Sequence, residues 1–464
     1  MFEGNQRGET SRGIKLASTL KPIIFGNEFR AMLVKGAFGS LALRVISVLL
    51  MLMVSIVLAR MLGPTQFGIY SVVLSLVSLL AVPAQMGLPT LVVRETATAY
   101  VWQRWGVMRG LWHWATRKVL SLALLLAILA LLVGERLLPG EAEHRTMLLV
   151  LAALLIPLNV LNTLRGAALQ GLRHVVLGQL PELVINPLLL GALIVGVSLV
   201  MQTRLDAITA IALHIFSVSF SFALGAYLLW RLVPPALRAR PEPIYEARAW
   251  RAAALPIALT TGLQVLNQNI DIVMLGWLRS AEEAGIYKIA VSAAAIVSLG
   301  LGAVNQALAP HFARLHQLDD YGRLQRLVTL SARGILALSL PPMLLMVLAG
   351  EEVLTLFFGH DYASGKTALA IIAFGQLVNA AMGSVGLLLN MTGHERQTFR
   401  AVLAAAFANV GLNLALIPAW GAIGAAIAAT TSLVVWNVIM WLAVRRLLGI
   451  ETMAFPIFTF EGKK

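Results

Sequence analysis

The chain has no cysteine, which excludes disulfides, thiolate zinc sites and cysteine nucleophiles and leaves the redox compartment open. Charge is scarce as well: 12% of the 464 residues are charged and 59% are hydrophobic, where soluble domains carry about 25% and about 45–50%. That balance excludes a soluble enzyme, a fibrous repeat and a disordered tail protein. Catalytic signatures are missing too. No HExxH, GxSxG or clustered metal-ligand pattern occurs, and GHDYASGKT (359–367) places five residues between its glycines where a nucleotide-binding loop needs four. What the chain does have is a series of apolar runs from Leu33 to Leu448, each long enough to cross a bilayer. Segments such as VISVLLMLMVSIVLA (45–59) are apolar on every side, whereas the strands of a membrane barrel alternate. The composition predicts an all-α polytopic membrane protein.

Apolar stretches between polar breaks place helices near 34–59, 66–88, 115–134, 146–164, 177–201 and 206–231, and again near 253–278, 283–308, 327–350, 366–391, 397–418 and 421–446. Twelve crossings put both termini on one side. Of the 36 basic residues, 28 fall in the segments on the side of the termini and six on the other, with Arg44 and Lys288 inside helices. This asymmetry predicts cytoplasmic termini. The net charge of +14 is then topological, so anionic lipid suffices as its partner and nucleic acid is not needed. The first 32 residues are polar and basic and do not read as a cleavable signal peptide. Trp102, Trp105, Trp112 and Trp114 lie in a basic stretch expected at the headgroup level.

RMLGPTQFGIYSVVLSLVSLL (60–80) is echoed by WLRSAEEAGIYKIAVSAAAIV (277–297), with the shared GIY offset by 217 positions, and ALQGLRH (168–174) is echoed by LNMTGHER (389–396). Both echoes fall on equivalent helices of the two halves. We therefore expect a duplication in which each half starts in the cytoplasm, giving two parallel six-helix lobes around a central cavity. The expected division is a cytoplasmic tail (1–33), an N-lobe (34–231), a proline-rich charged linker (232–252), a C-lobe (253–447) and a second cytoplasmic tail (448–464).

LARMLGPTQFGIYSVVLSLVSLLAVPAQMGLPTLVVRETA (58–97) resembles the first helical hairpin of polysaccharide and O-antigen flippases in the multidrug, oligosaccharidyl-lipid and polysaccharide exporter superfamily. NIDIVMLGWLRSAEEAGIYKIAVSA (269–293) and GEEVLTLFFGHDYASGKTALAIIAFGQ (350–376) resemble its second half. The resemblance implies alternating access by two lobes and export of a lipid-linked glycan across the inner membrane of a prokaryote, with no enzymatic step and no cofactor. Other polysaccharide assembly proteins are its expected partners.

Polar residues inside spanning helices are the candidate site, because the bilayer makes them costly. Thr260, Thr261, Gln264, Asn267, Gln268 and Asp271 share one helical face, which lines either a wet cavity or a hydrogen-bonded seam between helices. Asn159, Asn162, Asn379 and Asn413 add cavity-lining candidates. Arg44 and Lys288 each lie deep enough to act in the membrane, with snorkelling as the alternative. The resemblance implies that these two meet a phosphate group; arginine suits two-pronged contact and lysine a point charge. Asp271, Glu182 and His214 are candidates for proton or sodium coupling. Proline-rich positions, Pro157, Pro181, Pro187, Pro256, Pro310, Pro341 and Pro342, fit moving helices or plain kinks. Two other readings stay open. A multidrug or cation antiporter would share the fold, and a membrane-embedded glycan polymerase or ligase would need a large outer loop, whereas the outer loops here are short.

Overall fold

The computed structural model describes residues 27–133, 142–201 and 205–454. The N-terminal tail up to residue 26, the segments with Arg136 and Arg204, and the tail from residue 455 lie outside them. Regular structure among the described residues is helical throughout, in sixteen α-helices. The first eight are α1 (Asn27–Gln85), α2 (Leu88–Val101), α3 (Trp105–Val133), α4 (Ala142–Gly171), α5 (Val175–Leu180), α6 (Asn186–Met201), α7 (Ala207–Leu232) and α8 (Pro235–Arg238). The rest are α9 (Ala247–Leu278), α10 (Ala281–Ala294), α11 (Leu299–Gln317), α12 (Tyr321–Leu348), α13 (Gly350–Phe358), α14 (Lys366–Met382), α15 (Val385–Met391) and α16 (Glu395–Leu448). Nine helical stretches among the described residues are long and apolar enough to cross a membrane, and the chain is a multi-pass membrane protein. The 32-residue α9 is long enough as well, but its polar face keeps it out of the nine.

Two of the long helices are pairs. α1 turns back at Gly63 (φ 75°) before Pro64, since proline has no amide hydrogen to carry the first arm onward and opens the second. α16 breaks at Gly421 (φ 52°), where any side chain would overlap the Glu283 carboxylate. Glu283 accepts a hydrogen bond from the Ala422 amide (3.0 Å) and so caps the second arm. Its counterpart 217 positions earlier, Gln66, caps α7 by accepting from the Ala207 amide (2.9 Å). The two halves thus repeat their capping contacts as well as their GIY motif.

The breaks only partly follow the prolines. α4, α9, α11 and α12 run through Pro157, Pro256, Pro310, Pro341 and Pro342. At Pro181 a π turn (Pro181–Ile185) separates α5 from α6, and the Ser221 hydroxyl donates to the Pro181 carbonyl (2.6 Å). Two breaks carry no proline: the 3-10 turn Ala295–Ser298, where Ser339 donates to the Val297 carbonyl (2.7 Å), and Gly383, which splits the expected helix 366–391. The latter is filled by the chain after α16. Ala454 donates its amide to the Ala381 carbonyl (3.0 Å), Gln325 brackets Glu451 through both backbone groups, and Trp441 donates to the Glu451 carboxylate (2.6 Å). As far as Ala454, then, the expected C-terminal tail is docked on its lobe.

The second arm of α1 runs antiparallel along α9, with Gly87 against Ala254 and Ala258 near the linker and Val72 against Gly276 at the far end. α10 packs on α1, whereas α11, beyond the 3-10 turn, packs on α12 and α15. The cores follow this divergence. One cluster joins the N-lobe to α10, α13 and α14, while Phe312, Leu324, Val328, Leu388, Met440 and Val444 form a separate core at the linker end of the C-lobe. Away from α9, which packs on the N-lobe along its length, the two halves therefore share a core at the far end and carry separate cores toward the linker end.

Candidate functional site

α9 lies between the first lobe and α16, and its polar face is divided in two. Thr261 and Gln268 are exposed and Gln264 is half-buried. Mid-helix amides are costly against lipid. Asn267 and Asp271 turn toward α16 instead. Asn267 donates to the Val402 carbonyl (3.5 Å). Asp271, 4% exposed, accepts from the Tyr287 hydroxyl (2.9 Å) and from Asn413 (2.5 Å), which also donates to Asn409 (3.0 Å). The Asn409 amide and the Asn413 carbonyl have no partner of their own, so this buried cluster holds more polar capacity than it satisfies internally.

The four asparagines named from the sequence behave differently from one another. Asn159 is half-buried. Asn162 and Asn413 are 2% and 0% exposed and hydrogen-bonded inside their own lobes, and Asn379 accepts from Asn437 (2.9 Å), tying α14 to α16. The Asn413 and Asn379 bonds act as glue between helices, whereas the Asn162 bond from Arg165 stays within α4.

The N-lobe contains a charge that sequence reasoning placed in a loop. Arg165 lies within α4 at 6% exposure. It donates to the Asn162 side chain (2.7 Å) and the Ser221 carbonyl (3.3 Å), and its field reaches Glu182 on the π turn. Removing it from the loop leaves the basic asymmetry intact. No hydropathy signal marks Arg165, because it stands at the edge of an apolar run. A clue lies elsewhere, in Gly225 of α7, where a methyl group would occupy the position of the guanidinium. Gly225→Ala should therefore lower the stability of the purified protein by about 3 kcal/mol or more, the cost of displacing a buried charge, although alanine itself favours a helix over glycine. Thermal unfolding beside Gly302→Ala, where a methyl meets open space, checks this.

His214 on α7 shares a hydrogen bond with the Tyr70 hydroxyl (2.8 Å), and the two rings stack. Tyr70 and Tyr287 are the two tyrosines of the repeated GIY, so each lobe places one of them on a titratable group. Trp112 and Trp114 pack inward, on Thr96 and Trp250, while Trp102 remains exposed.

Arg44 and Lys288 have no ion pair and no side-chain hydrogen bond with any described residue. Arg44 is exposed on the first arm of α1, about 27 Å of helix from the Gly63 turn. Ser47, three residues on, is buried and donates to the Arg44 carbonyl (2.9 Å). Lys288, half-buried, sits about 10 Å along α10 from its far end. No contact joins the two, and they stand at different depths. Unpaired cations inside spanning helices are costly unless water or an anion serves them.

A family model described as a polysaccharide biosynthesis protein matches residues 33–316. The chain belongs to that family. A second model, described as MatE, matches residues 256–415 of the chain. Among curated proteins, the probable flippase AglR of Haloferax volcanii is 31% identical over 38% of the chain and 37% of its own length. The probable low-salt glycan biosynthesis flippase Agl15 of the same organism is 22% identical over 82% of the chain and 77% of its own length. Thus the chain spans little more than a third of AglR. Among solved structures, the inward-facing conformation of a multidrug resistance MATE family transporter of the MOP superfamily superimposes with a TM-score of 0.73 at 14% identity, covering 89% of this chain and 98% of that one. An outward-facing conformation with the same description scores 0.54 at 14% identity, over 90% and 95%. Lipid II flippase MurJ scores 0.66 at 12% identity, over 87% of each. The family member described here shares the fold of these transporters.

Proposed function

We propose that this protein is a flippase that moves a lipid-linked oligosaccharide, carried on an undecaprenyl-pyrophosphate type of lipid, from the cytoplasmic to the outer leaflet of a prokaryotic inner membrane. The observation that carries this reading is the sign of the unpaired charge. Arg44 and Lys288 lack partners among the described residues, whereas Asp271 is engaged by Tyr287 and Asn413. A cation exporter needs free acids in its cleft; a pyrophosphate needs fixed cations to replace its water. The glycan-flippase relatives support the same substrate class. Two headgroup charges leaving a negative interior gain about 4–5 kcal/mol at ~100 mV, from about 2.3 per charge, which favours outward movement.

On this reading the linker end and both termini are cytoplasmic, twelve segments cross, and the lobes part toward the cytoplasm in an inward-open state, with the lipid tail left in the bilayer. Asp271 is the proposed proton or sodium coupling residue, with Glu182 and His214 as further candidates in the N-lobe. Membrane lipids, and through the pathway other assembly proteins, are the proposed partners. Depleting the protein should make lipid-linked glycan accumulate severalfold while surface glycan falls. Unchanged precursor together with new sensitivity to cationic dyes would instead identify a drug antiporter.

A further inference from the structure

The two GIY segments meet at the far end of the molecule. Gly68 lies against the Ala281 carbonyl and the Gly285 amide, and Gly285 lies against the Pro64 carbonyl and the Gly68 backbone. Positions 64 and 281, like 68 and 285, are related by the 217-residue repeat. The contact is therefore self-complementary: each half offers the same backbone patch to the other, as in an isologous interface. Neither position has room for a methyl group, which would overlap the Ala281 or the Pro64 carbonyl. Helices come this close only where small residues face each other.

A polar clasp surrounds the crossing. Arg60 of the N-lobe reaches the carbonyls of Leu356 and Phe357, the latter at 2.8 Å, at the end of α13, where a helix terminus favours a cation. Tyr362 of the C-lobe donates to the Ala59 carbonyl (3.2 Å) and meets the Phe67 ring edge-on. Arg60, Leu356 and Phe357 are exposed, so parting would release these groups to water and leave no charge buried. Lys288 stands one turn beyond Gly285, immediately below the crossing.

We propose that the GIY crossing is the outer gate of the transporter, a seal made of two copies of one motif that must part for the cavity to open outward. Tyr70 and Tyr287 tie this seal to His214 and Asp271 inside the two lobes. The gate rests on the alternating-access reading above, but its opening can be measured without substrate.

The absence of cysteine allows spin labels to be placed at will. Leu132→Cys with Leu348→Cys reports the far end, and Val101→Cys with Leu318→Cys the linker end, all at exposed positions; both pairs are measured in lipid nanodiscs. Adding Gly68→Ala and Gly285→Ala should lengthen the far-end distance and shorten the linker-end distance, shifting the population ratio by about tenfold. Because alanine favours helix over glycine, the shift would be steric. Arg60→Ala, which adds no bulk, should move both distances in the same direction by less, and Gly302→Ala should move neither. A short bismaleimide joining Arg60→Cys to Phe357→Cys should abolish glycan export in cells. Distances unchanged in a folded double-alanine variant overturn the proposal, as does export at the parental rate by fully cross-linked protein. If the double variant does not fold, Arg60→Ala and the cross-link decide. Distances that shift as expected in a protein whose depletion leaves precursor unchanged would uphold the gate while removing the glycan substrate.

Discussion

Asp271→Asn should leave the protein inserted at its normal level and lower glycan export about tenfold or more, the effect of losing little more than 1.4 kcal/mol at the coupling step. Asparagine keeps the size of the side chain and an oxygen that can accept from Tyr287 or Asn413, but it removes the charge that a proton or sodium ion would meet. If Asp271 serves only as glue between α9, α10 and α16, export by the asparagine variant will match the parent. Asp271→Ala is expected to behave differently. It leaves the Tyr287 hydroxyl and the Asn413 amide facing a void, at about 1–3 kcal/mol for each unsatisfied group, so abundance should fall together with export. Comparing surface glycan, accumulated precursor and protein level in the two variants separates charge from packing.

Arg44→Ala should reduce export by about ten- to a hundredfold, the range set by losing hydrogen bonds to a charged group worth about 1.5–3 kcal/mol. Arg44→Lys should recover part of this, since lysine restores the charge without the two-pronged contact. The structure sharpens the test because Arg44 has no side-chain partner among the described residues whose loss could explain a defect. If Arg44 only snorkels to the interface, Arg44→Gln will export normally at normal abundance. Precursor accumulation in a correctly inserted protein marks the transport defect.

The helices were legible because bilayer-spanning runs announce themselves in hydropathy, and the duplication because GIY recurs at a fixed offset. The same offset proved to carry Gln66 and Glu283, whose capping roles no pattern in either half suggests. Periodicity assigned Thr261, Gln268 and Asp271 to one face of α9, but a face has width. One edge leaves Thr261 and Gln268 exposed and the other buries Asp271 against α16, and only the neighbouring helix decides which. Arg165 was unreadable for a related reason. A single cation at the end of an apolar run looks the same whether it enters the headgroups or turns back onto Asn162 and Ser221, and the choice is made by Gly225, 60 positions away in the sequence. The breaks at Gly383 and at residues 295–298 were hidden because Ala454 and Ser339 supply the missing hydrogen bonds from distant segments.

The docking of Glu451–Ala454 bears on biogenesis. Translation delivers α14 and α15 to the membrane well before these four residues exist, so the Ala381 carbonyl lacks its bond from Ala454, and Gln325, which still reaches Thr329 on its own helix, lacks both backbone groups of Glu451 while α16 is being made. The C-lobe can reach its final packing only after the segment beyond Leu448 has left the ribosome and folded back beneath its own lobe. A reporter or epitope fused directly to α16 would interrupt that step and expose the nascent protein to membrane quality control, whereas one joined beyond Ala454 would leave it intact.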